Sequence, residues 1–223
     1  MKYFNKNFGD FFLQLASNNN KEWFHAHKKD YETFVKIPFE NFVSQLIKGI
    51  SKHEDLATIQ AKQCISRINR DIRFSKNKSP YNLHLNAFIT PFGSKDKSYP
   101  GLFIRFAPEM VGIMGGCYCP SKEQINAIRY HITENLLAFE NLYSNKSFFE
   151  KFGNIKGETM KRIPIELKEI SELEKLILNK QWYFVAEREP ELLLSENLLE
   201  EIMEYYFTAK PLNDFFKQAL KTT

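Results

Sequence analysis

Residues 83–91, Leu-His-Leu-Asn-Ala-Phe-Ile-Thr-Pro, carry an apolar side chain at every second position, as a β-strand with one buried face requires. The alternation returns in residues 100–107, and residues 110–117 continue after a Pro108-Glu109 turn. Because these strands are joined by short connections, they predict an antiparallel meander. Residues 63–69 are predicted to add another strand.

Helical patterns precede the sheet. Asn19, with Glu22 three residues later, resembles a capping box that starts a helix. Apolar side chains then recur at helical spacing, and Pro38 is predicted to kink or divide the segment. A second apolar stripe continues the helix to about Lys52. We expect the helical segment 20–52 to cover the sheet.

Helical patterns also follow the sheet. Ser121 and Gln124 form a second capping box, and isoleucines line one face of the helix that it starts. The other predicted elements are short helices at 145–152 and 169–178, an isolated late strand from Trp182 to Glu187, and a last helix capped by Ser195.

This order of elements predicts an α+β fold, an antiparallel meander packed against N-terminal and C-terminal helices. We expect a single domain over residues 1–223. Its parts are residues 1–55, which are helical, residues 62–118, which are mainly strands, and residues 119–223, which are mainly helical with one late strand.

Composition limits the compartment and the partners. The N-terminus lacks the pattern of a signal peptide, and no apolar stretch approaches the roughly 20 residues that span a bilayer. Three cysteines without framework spacing favour a reducing cytoplasm. The net charge of +4 and the pI of 8.8 fall short of a dedicated nucleic-acid domain. We therefore expect a cytoplasmic protein with no membrane partner and weak nucleic-acid binding at most.

Basic residues concentrate in one segment. Residues 62–81 carry six basic side chains and one acidic side chain, which leaves a charge of −1 for the rest of the chain. Arginine suits the bidentate capture of phosphate or carboxylate groups, and a loop suits a binding site. The predicted ligand-binding residues in this segment are Arg67, Arg70, Asp71, Arg73, Ser75, Lys78 and Tyr81.

Each part of that loop has a structural alternative. Its arginines could pair with glutamates elsewhere on a solvated turn. The rings of Phe74 and Tyr81 could stack on a nucleotide base, or could equally anchor the loop in the core.

A glycine-rich strand end is the second candidate. Gly115 and Gly116 precede the helix capped at Ser121, where backbone N–H groups can approach an anion, and Arg129 could point back toward that site. The alternative is a bulge or tight packing, because the glycine spacing matches no phosphate-binding motif.

The sequence predicts no metal site and no cofactor, and it identifies no catalytic residue. Cys117 and Cys119 would share one face of a strand, but no second pair completes a tetrahedral zinc site, so buried thiols are expected.

Three blocks of the chain resemble the signature of a bacterial and fungal family, the domain of unknown function family 2461. The blocks are Asn19 to Phe24, Arg67 to Tyr81 and Gly115 to Pro120. Two positions depart from the family pattern, since Asn77 stands where Asp is usual and Asn82 where Lys is frequent. The resemblance implies no reaction.

Three functions remain open. The first is a domain, with or without catalytic activity, that grips an anionic small molecule with the Arg67–Tyr81 loop. The second is a nucleic-acid-binding module that uses the same loop. The third is an interaction or structural protein without a small ligand. The sequence fixes neither the substrate nor the oligomeric state.

Overall fold

The computed structural model describes residues 1–56 and 58–221. Within them lies a sheet of β1 (Leu85–Ile89), β2 (Leu102–Phe106), β3 (Val111–Cys117) and β4 (Trp182–Arg188), hydrogen-bonded in that order. The sheet is an antiparallel meander, which confirms the predicted α+β class. The late strand is not isolated as predicted, because β4 pairs with β3.

Helices α1 (Lys6–Ser17), α2 (Lys21–Ala26), α3 (Lys28–Asp30) and α4 (Ile37–Ile50) precede the sheet, with a π-helical turn at Tyr31–Lys36. The cap of α2 is Asn20, whose side chain accepts a hydrogen bond from the Trp23 N–H, so the cap predicted at Asn19 is wrong. Pro38 stands in the first turn of α4, directly after the π-helical turn, and this wide turn is the interruption that was predicted at Pro38.

Rings from these helices pack on the sheet. The ring of Phe106 in β2 lies 5.4 Å from that of Phe39 and 5.3 Å from that of Phe42, both in α4. Phe4 approaches the same ring at 5.6 Å, and all four side chains are buried. Helix α4 of the N-terminal helical segment therefore packs on β2, in agreement with part of the expected cover of the sheet.

Residues 63–69 do not form the predicted strand. Helix α5 (Ala61–Cys64) occupies the start of this segment, and the Gln63 side chain accepts a hydrogen bond from the Gln60 N–H at 2.8 Å. Only isolated bridges follow, from Ile65 to Ala87 and from Asn69 to Tyr81. One turn of helix therefore replaces the ladder that the sequence pattern suggested.

After β3 come α6 (Lys122–Glu134), α7 (Leu136–Tyr143), α8 (Lys146–Phe152), α9 (Lys168–Leu173) and α10 (Leu198–Leu220). The capping box of Ser121 and Gln124 is confirmed at the start of α6. Ser195 is not the cap of the last helix, because α10 begins three residues later and the Ser195 hydroxyl accepts from the Asn197 N–H.

The chain forms two compact units. One comprises Met1–Lys95, Phe103–Ile113 and Glu187–Met203, and the other comprises Asp96–Leu102, Met114–Ala186 and Glu204–Thr223. In the second unit, the ring of Phe184 in β4 lies 4.9 Å from both Phe148 and Phe152 of α8. The single domain over residues 1–223 stays a prediction. No helix in the described ranges has the length and apolar character of a membrane span.

Candidate functional site

The basic loop, residues 67–81, is closed at its base by backbone hydrogen bonds. The Arg70 N–H donates to the Pro80 carbonyl at 2.8 Å, and the Asn82 N–H donates to the Ile68 carbonyl at 2.8 Å. These bonds flank the bridge between Asn69 and Tyr81. The two ends of the loop are therefore paired as in a short antiparallel hairpin, and we call residues 67–81 the hairpin.

Asn19 attaches this hairpin to the N-terminal helices. Its Nδ2 donates to the Tyr81 carbonyl at 3.0 Å, and its Oδ1 accepts from the Tyr81 N–H at 3.1 Å. The Tyr81 ring stacks on Phe24 with centroids 4.0 Å apart and is 5% exposed. The Tyr81 ring thus packs in the core, which supports the anchoring role, and its predicted ligand contact stays a prediction.

Asp71 and Arg73 form an ion pair within the loop. The Arg73 Nε donates to Asp71 Oδ1 at 3.0 Å, and its Nη2 lies 2.7 Å from Oδ2. The Arg73 side chain holds the pKa of Asp71 below its usual range. Both groups are exposed, so the pair adds little stability but occupies the guanidinium predicted to hold a ligand.

The other predicted cations also contact the loop itself. The Lys78 Nζ donates to the Ile72 carbonyl at 3.0 Å, and the Arg70 Nη1 donates to the Ser79 carbonyl at 3.1 Å. The Ser75 hydroxyl lies 3.5 Å from Arg70 Nη2. Arg67 is exposed. Among the described residues, no ion pair joins the loop arginines to a distant glutamate, the alternative raised by the sequence.

A cleft of about 610 Å³ lies beside the hairpin in the first compact unit. Among the cations of the basic loop, only Arg70 lines it. Asn77 and Asn82 line it too, and both hydrogen-bond loop backbone, Asn77 to the Ser79 N–H and Asn82 to the Ile68 carbonyl. The lining residues are Phe12, Leu13, Ala16, Asn19, Arg70, Asn77, Ser79, Tyr81, Asn82, Leu83, His84, Arg105, Pro108 and Glu109.

Arg105 is the second arginine of the cleft, and the sequence analysis missed it. Its Nε is buried without a hydrogen-bond partner in the described chain, and its Nη2 lies 3.7 Å from Glu109 Oε1, too far for a hydrogen bond. Arg105 stands between Ile104 and Phe106, which are fully buried in β2, so alternation alone assigns it to the outer face of the strand. Among the described residues, Glu109 holds this guanidinium through one long ion pair, and the Nε has no acceptor.

His84 completes the polar part of the cleft. Its pKa is lowered to about 4, first by burial and then by the positive charge of Arg105. The imidazole is therefore neutral at pH 7. Asn86 follows two residues later in β1, and its Oδ1 is buried without a partner in the described chain, but Asn86 does not line the cleft. The only sequence signal for these residues was a polar side chain at alternate strand positions.

Gly115 and Gly116 are required by packing in the second compact unit. A Cβ on Gly115 would lie 2.5 Å from the Phe184 ring, and one on Gly116 would lie 2.1 Å from the Trp182 carbonyl oxygen. Gly116 also has a φ of +87°. Its N–H donates to Asn213 Oδ1 at 2.8 Å. These contacts support the packing alternative, and an anion-binding role for the two glycines stays a prediction.

Arg129 is buried, and its guanidinium contacts backbone. The Nε donates to the Ile177 carbonyl and the Nη2 to the Asn179 carbonyl, both at 2.9 Å. Burial lowers its pKa. This arginine therefore joins α6 to the segment before β4, and its predicted ligand contact remains untested.

The cysteines differ in their surroundings. Cys117 ends β3 and is buried, whereas Cys119 lies beyond the strand and is exposed, so the prediction that both are buried thiols is wrong for Cys119. In the part of the chain that is described, no group of three or more His, Cys, Asp or Glu side chains could hold a metal ion.

A family model described as "Conserved hypothetical protein (DUF2461)" matches residues 7–215, nearly the whole chain. No curated protein and no solved structure matches the chain.

Proposed function

The chain belongs to the DUF2461 family of conserved hypothetical proteins, and we propose that it binds a small ligand through a phosphate or carboxylate group in the cleft lined by Arg70 and Arg105. The observation that carries the proposal is Arg105. Its guanidinium lines a cleft and donates no hydrogen bond to any described residue. Anionic oxygens are the acceptors that such a planar donor group matches best.

Charge in the cleft supports an anionic ligand. Two arginines face one carboxylate, that of Glu109, and the neutral His84 adds no charge at pH 7. The cleft volume of about 610 Å³ lies within the range typical of small-molecule sites, roughly 300–1,000 Å³. A bound anion would also supply the acceptors that Arg105 lacks.

Thermal unfolding tests this proposal. Phosphate and sulfate should raise the Tm relative to chloride at equal ionic strength, and a ligand at 100 times its Kd adds about 2.7 kcal/mol of stability. Arg105→Gln should abolish the response. Arg73→Gln is the matched control, because Arg73 belongs to the same hairpin but does not line the cleft.

Two results would contradict the proposal that the anion binds in the cleft. The first is an equal response to chloride, which reflects ionic strength alone. The second is a loss of response in Arg73→Gln but not in Arg105→Gln, which would place the anion on the hairpin surface. No response to any anion would favour the third function, a protein without a small ligand.

One observation favours nucleic-acid binding as a second candidate. The Phe74 side chain is 96% exposed, and the Arg73 guanidinium carbon lies 5.9 Å from its ring centroid. Lys76 and Arg67 are exposed cations of the same hairpin. A base could stack on Phe74 while these cations contact phosphates.

Fluorescence anisotropy with a labelled single-stranded oligonucleotide tests this candidate. With two exposed cations that contact phosphates, the binding constant should fall with salt at a log–log slope of about −1.4. Phe74→Ala should weaken binding, and Arg105→Gln should not. Tight, salt-resistant binding would refute the expectation of weak association.

A further inference from the structure

The cleft beside the hairpin is lined by apolar side chains as well as by its two arginines, and we call these apolar residues the apolar wall. Leu13 and Ala16 of α1 contribute to it, together with Leu83 and Pro108. Leu13 is 60% exposed, although the other large apolar side chains of α1 are buried. A leucine that is mostly exposed on an amphipathic helix buries little of its surface in the core, and here it gives the cleft an apolar surface.

We propose that the natural ligand is an apolar monocarboxylate, with its carboxylate on Arg70 and Arg105 and its hydrocarbon body against Leu13. The proposal rests on the function proposed above and adds the class of ligand. Ligand sites combine an apolar lining with a few polar groups that fix orientation, and this cleft has that composition.

The charge of the cleft favours a ligand with one anionic group. Two guanidinium groups and the Glu109 carboxylate sum to one positive charge when His84 is neutral. A second anionic group on the ligand would be repelled where it approached Glu109, and it would lose solvation where it lay against the apolar wall. Dicarboxylates and polyphosphates are therefore disfavoured.

The volume of the cleft, about 610 Å³, is larger than the volume that an inorganic anion occupies. Phosphate could satisfy the arginines but would leave the surface of Leu13 in contact with water. A hydrocarbon chain would remove that surface from water, and each fully buried methylene strengthens binding by about fourfold. Partial coverage by an open cleft should give about two- to fourfold for each methylene.

A homologous series of carboxylates tests the inference. The Kd values of acetate, butyrate and hexanoate are measured by titration of backbone amide NMR shifts at constant ionic strength. We expect the Kd to fall about two- to fourfold for each added methylene. Adipate, which has the length of hexanoate and a second carboxylate, should bind no more tightly than butyrate.

Matched variants locate the effect. Leu13→Gln should flatten the series while the sulfate response persists, because the substitution removes the apolar surface and keeps a good helix former. Leu137→Gln is the control, since Leu137 is 71% exposed on α7 and does not line the cleft.

The outcomes separate the two proposals. If sulfate and phosphate bind through Arg105 but the carboxylate series is flat, the monocarboxylate is overturned and the anion site stands. If the Kd falls by the same factor for each methylene in Leu13→Gln as in the wild type, the hydrocarbon chain does not contact Leu13 and the inference is wrong. If hexanoate binding is unchanged in Arg105→Gln, the anion site and the inference built on it both fail.

Discussion

Replacing Asn19 by alanine should cost more stability than replacing its neighbour Asn20, although the sequence pattern favours Asn19 as the helix cap. The Asn19 side chain makes two hydrogen bonds to the backbone of Tyr81, at 3.0 and 3.1 Å, at a part-buried position. Each such bond contributes about 1 kcal/mol net, and the Tyr81 groups left unpaired add to the loss. We expect Asn19→Ala to lower the free energy of unfolding by about 2 kcal/mol.

Asn20→Ala is the matched control. Asn20 makes one capping hydrogen bond, to the Trp23 N–H at 2.9 Å, and loss of a cap costs about 1 kcal/mol. In a chain of this size, about 2 kcal/mol lowers the Tm by about 4–8 °C, so the two variants can be distinguished. Urea denaturation measures both free energies, and equal m-values would show that the unfolded states are comparable.

Proteolysis gives the same prediction a local readout. The bonds of Asn19 hold the base of a hairpin that is rich in Arg and Lys, the cleavage sites of trypsin. Asn19→Ala should therefore speed tryptic cleavage within residues 67–78 more than Asn20→Ala does. A loss below about 0.5 kcal/mol in Asn19→Ala, or a larger loss in Asn20→Ala, would refute the reasoning.

Three other predictions follow from single side chains. Gly116→Ala should destabilise the protein by at least about 2 kcal/mol more than Gly153→Ala. Both glycines have a positive φ, but of the two only Gly116 would place an added Cβ against backbone, the Trp182 carbonyl. Urea denaturation curves that coincide for the two variants would argue against this. Arg129→Met should cost about 3 kcal/mol, because it leaves two buried carbonyl groups unpaired; a neutral effect on the urea midpoint would contradict that role. Between about pH 6.5 and 4, His84 binds a proton in the unfolded chain but not in the folded protein. The free energy of unfolding should therefore decrease as the pH falls through this window. His84→Gln should remove this part of the pH dependence in thermal melts.

Short sequence patterns predicted the strands and helix starts that depend mainly on neighbouring residues. Alternation identified β1 and β2, the Pro108-Glu109 turn preceded β3, and the capping box at Ser121 located the start of α6. The strand predicted at residues 63–69 is wrong, because a short segment forms a strand only where a partner strand is available to pair with it. The structure gives this segment only single bridges to Ala87 and Tyr81, and a helical turn satisfies its first backbone groups.

The candidate site was only partly predictable for the same reason. Charge density identified the hairpin and therefore Arg70. The hairpin directs Lys78 onto its own carbonyl groups and Arg73 onto Asp71, which follows from the geometry of the turn and not from composition. Arg105 reached the cleft through the pairing of strands, a long-range relationship that a single sequence does not encode in any local pattern.

The distribution of tryptophan gives the chain two internal optical reporters. Of its two tryptophans, Trp23 lies in the first compact unit and Trp182 in the second. The Trp23 indole is half-buried and stacks on His27 with centroids 4.0 Å apart, whereas Trp182 is fully buried and donates its Nε1–H to the Leu176 carbonyl. Their emission maxima should differ, because one indole is partly hydrated and the other is dry. Trp23→Phe and Trp182→Phe would each leave one reporter, so coincident fluorescence transitions would identify a single cooperative unit and separated transitions would identify two.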